Sequence, residues 1–229
     1  MKKIKQTIGI VFLVMIMIVA VEMVSASVPS GGTLATGNNS TASSSVSSGS
    51  SNAAGGYVTE INITGNNQQT ANWQGFWGNV SAGTIYLNDS SGNSMYNWAT
   101  VVTNGGFVYA TTKSTAPSWS SVTAISAATL DGGSYWNFGS KSDNISNTYT
   151  STRDITIASY TVSGAINTTV NTYFNNSAVS DGSSASRAGV IWVGEINNDK
   201  TNFKSTSSDY ELLVPVVAGD SYKFYIEIS

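Results

Sequence analysis

Beyond residue 26, four glutamates, Glu60, Glu195, Glu211 and Glu227, with aspartates such as Asp199 and Asp209, are the side chains that could run acid–base chemistry. Two carboxyl groups about 5 to 10 Å apart would suit glycoside hydrolysis. The local pattern speaks against that use for two of them. Glu60 and Glu227 alternate with apolar neighbours, which puts them on the solvent face of the expected strands, where a hydrated charge is the ordinary occupant. Histidine and cysteine are absent from all 229 residues. Their absence excludes Ser-His and Cys-His nucleophiles and His-based zinc or iron sites. The sequence has no Gly-x-Ser-x-Gly elbow, Ser-x-x-Lys pair, phosphate loop or dinucleotide fingerprint. The expectation is a protein that is not an enzyme, with a secreted glycosidase as the minor alternative.

No cofactor is expected beyond a candidate structural calcium ion. Asp89-Ser90-Ser91-Gly92-Asn93 resembles part of an oxygen-rich calcium loop but lacks the closing glutamate, and a hairpin turn explains it as well. Asn197-Asn198-Asp199, with Glu195 and Asp209 near in sequence, is the second candidate. Six tryptophans, Trp73, Trp77, Trp98, Trp119, Trp136 and Trp192, all lie beyond residue 56. Core packing is the ordinary role of any one of them. Exposed on a surface, Trp73, Trp77 and Trp136 would make a platform for sugar rings or a partner protein. Asn38, Asn39, Asn62, Asn79, Asn88, Asn144, Asn167 and Asn175 each head an Asn-x-Ser/Thr sequon and are candidate glycosylation sites. Asn62 and Asn88 fall on the outward faces of expected strands, where a glycan fits.

The elements that hold these residues start with a leader. Lys2, Lys3 and Lys5 precede an apolar run over residues 8–21, and Val24-Ser25-Ala26-Ser27 offers small residues for a signal peptidase, with cleavage expected after Ala26. Fourteen apolar residues followed by Glu22 fall short of the roughly 20 that span a bilayer. A membrane contact would therefore come only through an uncleaved leader. Residues 1–26 are thus a Sec signal peptide, and the protein is expected outside the cell or at its surface. Losing Lys2, Lys3, Lys5 and Glu22 takes the net charge from −3 to −5, which offers nucleic acid no electrostatic footprint. Residues 27–56 are almost all Ser, Gly, Thr, Ala and Asn and bury too little surface to offset the entropy of ordering. They read as a disordered spacer or brush. Strand donation into a neighbour needs apolar residues at alternate positions, and this tail lacks them.

Residues 57–229 switch to short alternating apolar runs broken by turn residues. Strands are expected over 57–64, over 84–88 with a return at 95–102, and over 107–111, 155–162, 168–174, 190–196, 211–217 and 222–228. A short helix is expected within 122–130. This pattern predicts one all-β domain, an antiparallel sandwich-like fold or a partly closed barrel. Without cysteine, packing alone must hold it.

Two blocks carry a family resemblance. Trp73-Gln74-Gly75-Phe76-Trp77-Gly78-Asn79-Val80-Ser81, Gly83-Thr84-Ile85-Tyr86-Leu87 and the stretch from Asp89 to Trp98 resemble the opening of uncharacterised secreted surface proteins of archaea. Phe203, Asp209-Tyr210-Glu211-Leu212-Leu213-Val214-Pro215 and Tyr222-Lys223-Phe224-Tyr225-Ile226-Glu227 resemble their closing block. The resemblance implies an archaeal cell surface, where N-glycosylation is common, and no mechanism. The leading expectation is a glycosylated structural or interaction protein of the envelope, partnered by surface proteins, glycans or further copies, as in a filament or S-layer. A carbohydrate-binding or adhesive module is the alternative.

Overall fold

A computed structural model of the chain describes residues 28–37, 39–41, 50–65, 67–81, 83–99 and 104–227. The expected leader and cleavage site, the sequon at Asn38 and part of the tail lie outside these residues. Among the described residues, no helix is long and apolar enough to cross a membrane.

The fold is mostly β and antiparallel, with sandwich-like layers and no closed barrel. Its strands are β1 (Ser30–Gly31), β2 (Trp73–Gly78), β3 (Thr84–Asn88), β4 (Ser94–Ala99), β5 (Phe107–Thr111), β6 (Thr123–Ala124), β7 (Ser151–Ile157), β8 (Tyr160–Val170), β9 (Phe174–Ser180), β10 (Val190–Glu195), β11 (Lys200–Thr201), β12 (Ser207–Ser208), β13 (Tyr210–Pro215) and β14 (Lys223–Ile226). Two one-turn helices, α1 (Ala127–Leu130) and α2 (Ile145–Thr148), start on Ser126 and Asn144, whose side chains each accept a backbone N–H three residues on. The main sheet runs β1-β14-β5-β10-β9-β8-β7, with β6 also pairing to β9. Smaller ladders pair β2 with β13, β3 with β4 and β11 with β12.

Strand β10 explains the layering. Ile191 and Val193 point into one apolar cluster, Val190 and Trp192 into another, so the strand is buried on both faces. One face is covered by the β7–β8 hairpin, whose Ile155, Ile157 and Val162 pack with Tyr109 and Val193. Those strands are not neighbours in the sheet, so the hairpin must curl over. A bulge supplies the bend: Arg153 pairs with Ala165 and Ile155 with Val162, leaving one extra residue on β8, where Gly164 has φ +71° and donates its N–H to Asp154 Oδ1 at 2.8 Å. The other face is covered by β13 and by aromatic rings around Trp192. Gly194 permits the close crossing, since a Cβ there would stand 3.4 Å from Leu212 Cβ.

Glu227 ties the curled layer to β14. Tyr109 donates its hydroxyl to Glu227 Oε2 at 2.7 Å, and Ala158 at the tip of the β7–β8 hairpin donates its N–H to Oε1 at 3.2 Å. Burial, with the Glu227 charge beside it, pushes the Tyr109 hydroxyl far above its usual range and keeps it a donor. Glu227 is therefore a structural acceptor, not the free solvent-facing charge expected from alternation.

Several other expectations are corrected. Residues 57–64 form no strand and are exposed; alternation alone gives a strand no partner. The run 155–162 is two strands joined at Ala158-Ser159, both left-handed at φ +47° and +73°. The run 168–174 likewise turns at Asn171-Thr172, with φ +46° and +70°. Within 122–130 only Ala127–Leu130 is helical, because Thr123–Ala124 pair with β9. In the tail, Ser30–Gly31 add a strand to β14 where a spacer was expected.

Trp192→Ala should cost about 3–5 kcal/mol in guanidinium unfolding, the range for emptying a fully buried aromatic site.

Candidate functional site

The carboxylates disperse into structural roles. Glu195 Oε2 accepts from Arg153 at 2.5 Å and from Asn175 Nδ2 at 2.8 Å. Glu60 is exposed and accepts from Asn62. Asp89 caps its own turn, accepting from Ser91 N, Asn93 N and Asn93 Nδ2, and these bonds, with that of the Asn93 side chain foremost, hold its carboxyl below the usual range. Asp209 accepts from Val80 N and Asp199 N, which splices β2's exit to the loop before β11. Among the described residues, no three of His, Cys, Asp and Glu gather as a metal-ligand group.

The three platform tryptophans separate. Trp136 is buried, its ring edge-on to Trp192 at 5.3 Å, so it packs the core and offers no surface. Trp73 is half-buried, stacks on Phe138 at 5.5 Å and donates its indole N–H to Asp143 O at 2.6 Å. Trp77 is 41% exposed. It meets Phe203, 59% exposed, edge-to-face at 5.6 Å, with the Lys204 ammonium 5.1 Å from its ring centre.

These rings border a groove of about 500 Å³ along β2 and β13, lined by Gln69, Gln74, Trp77, Phe203, Glu211 and Leu213 among others. Register explains the juxtaposition: Trp77 pairs with Glu211 and Gly75 with Leu213. Glu211 is 2% exposed; its Oε1 accepts from Phe203 N at 2.7 Å, and its Oε2 has no partner among the described residues. Asp143 pins one wall, accepting from Thr70 Oγ1 at 2.6 Å and Asn72 Nδ2 at 2.9 Å, and those bonds lower its pKa. Sequence reasoning missed Phe203 and Lys204, which lie in a turn and show no periodicity.

The second surface feature is the β3–β4 hairpin. Ile85 pairs with Trp98 and Leu87 with Tyr96, which puts four large side chains on one face; Tyr86 and Met95 occupy the other. All six are exposed. The rings of Tyr96 and Trp98 meet edge-to-face at 5.0 Å between centroids. Sequence reasoning expected a hairpin here with Asn88 on its outward face and passed over the large apolar residues on both faces.

No protein-family model matches the chain, and neither the curated proteins nor the solved structures contain a significant match.

The sequons fall into two groups. Asn39, Asn62, Asn79 and Asn88 are exposed, although Asn62 sits in irregular backbone and not on a strand. Asn144 is 9% exposed, caps α2 and donates its Nδ2 to Gly139 O at 3.1 Å. Asn167 is 7% exposed, and either orientation of its amide keeps the nitrogen on protein partners, Ser151 Oγ or the Asn176 carbonyl with Ser177 Oγ. Asn175 is half-buried and bound to Glu195 and Thr169. A bulky glycan needs an open surface. Site-resolved mass spectrometry of the native protein should find glycans confined to exposed asparagines such as Asn79 and Asn88 and none at Asn144 or Asn167.

Proposed function

We propose that the protein is a non-enzymatic, N-glycosylated structural or interaction component of an archaeal-type cell surface, exported by a Sec leader. The β3–β4 hairpin carries the proposal. A lone two-stranded hairpin is marginal in water, and one with apolar side chains on both faces gains its stability from what covers it. Nothing among the described residues covers this one. The exposed sequons at Asn79, ahead of the hairpin, and at Asn88, the last residue of β3, would keep such a surface soluble until it meets its partner. The opening and closing blocks of the family resemblance meet as β2 paired with β13, which supports reading them as parts of one unit.

The test is the double variant Tyr96→Ser with Trp98→Ser. It should abolish the protein's association with itself or with isolated envelope in sedimentation, while unfolding stability shifts by no more than about 0.5 kcal/mol, as at other exposed sites. Association equal to the parent protein's would overturn the reading.

A second reading, a carbohydrate-binding module, is favoured by the Trp77–Phe203 pair beside the groove with Gln74 and Glu211. A sugar ring stacked there would lose about tenfold in affinity on Trp77→Ala, the upper value of an aromatic contact. Trp136→Ala would act on stability instead. A glycan array with no binding by the parent protein would dismiss this reading.

A further inference from the structure

The outer edge of β14 is finished by very little. On its inner side β14 pairs with β5 over four residues, Lys223 with Thr111 through Ile226 with Val108. On its outer side, among the described residues, it pairs with Ser30, opposite Ile226, and Gly31, opposite Tyr225, extended by a long bond from Gly32 N to Phe224 O at 3.5 Å. Both residues of β1 are exposed, and Pro29 just before them is buried. The attachment is main chain to main chain, so it does not need the alternating apolar residues that strand donation into pockets requires. Beyond β1 a groove of about 420 Å³ continues along Leu34, Asn79, Val80, Tyr210 and Phe224.

The strand that finishes this edge is tied to the domain by a long tether. Roughly 40 residues, 33–72, separate it from β2, and the described ones among them carry no helix or strand. Its far end is fixed, with Thr70 and Asn72 bonded to Asp143. The 35 residues between Leu34 and Thr70 can span at most roughly 120 Å, against a domain of about 170 residues that is roughly 40 Å across. The chain is therefore long enough for the segment to meet the β14 edge of an adjacent copy as well as its own. Within one chain the tether gives an effective concentration in the millimolar range. A crowded surface on which copies also cover one another's β3–β4 hairpins shifts that balance toward the neighbour.

We propose that the β14 edge is a self-association site, in which residues 28–34 of one copy add as the edge strand to β14 of the next. The contact is heterologous: a donor segment at one end of the chain and an acceptor edge elsewhere. Repeated, it links copies head to tail into an open row and does not close a dimer. An unpaired β14 would otherwise be an aggregation-prone edge. This deepens the surface-assembly reading by naming the partner as a second copy. It stands apart from the hairpin experiment, which leaves β1 and β14 untouched.

The chain's lack of cysteine makes a clean test. Two full-length single variants, Ser30→Cys and Ile226→Cys, carry different tags, are mixed at graded concentrations or made together in the producing cell, and are oxidised mildly. Paired strands bring Cα atoms within disulfide range. The expected result is a reducible dimer holding one of each tag, increasing with concentration and exceeding by at least tenfold the yield from Ser30→Cys mixed with Asn93→Cys, a turn residue away from the edge. The pair Gly31→Cys and Tyr225→Cys repeats the measurement at the next register position in case Ile226→Cys disturbs folding. The proposal is overturned if neither mixture links above the control while the doubly substituted chains close within themselves. It is equally overturned if the double chains form no bond at all, since β1 then does not sit on β14.

Discussion

Strand β10 is buried on both faces, and the rest of the architecture follows from that. Ile191 and Val193 require an apolar layer on one side, Val190 and Trp192 another on the opposite side. A single sheet cannot supply both, so the sheet bends at the β8 bulge and lays β7–β8 over the first face, while β13, held by β2, crosses the second. Without disulfides, this double coverage is what stabilises the domain. Polar groups are recruited to hold the layers in register: Glu227 joins Tyr109 to the hairpin tip, Asn176 reaches the β13 backbone through Glu211 O and Leu213 N, and Lys113 meets the buried Asp181 at 2.5 Å. Burial raises the Asp181 pKa, but the bonds from Lys113 and Ser183 outweigh it and leave the carboxyl below its ordinary value.

Three surface features lie outside these layers. Among the described residues, β3 and β4 pair with each other and with no further strand. The β14 edge carries a two-residue strand where a full partner would fit. The Trp77–Phe203 groove lies on the outer side of the β2–β13 ladder, whose inner side is spent on covering Trp192. Of the carboxylates, Asp89, Glu195 and Asp209 accept hydrogen bonds from neighbouring groups, while Glu211 keeps its Oε2 without a partner among the described residues.

Much of this was legible in the sequence where a strand's ends coincided with glycine or asparagine turns. β5 matches its expected bounds, β10 and β13 fall within a residue or two, and the hairpin turn over residues 89–93 was plain. Legibility failed where two-residue turns interrupt apparently continuous runs. Ala158-Ser159 and Asn171-Thr172 take left-handed backbone there, and only Asn171 is of a type that favours it. It failed again where period-2 alternation had no tertiary partner, as at residues 57–64. Asn144 and Asn167 read as sequons, yet one caps a helix and the other fills a buried strand position; a three-residue motif carries no burial information. Trp136 looked like a platform residue only because tryptophan content says nothing of which side faces water.

Hydrogen–deuterium exchange of the protein in its native surface assembly, compared with the same protein released as monomer, tests the account most directly. Amides of β10 should be the slowest in both states, and those of β3 and β4 should gain protection only in the assembly. Identical exchange of β3 and β4 in the two states would contradict it.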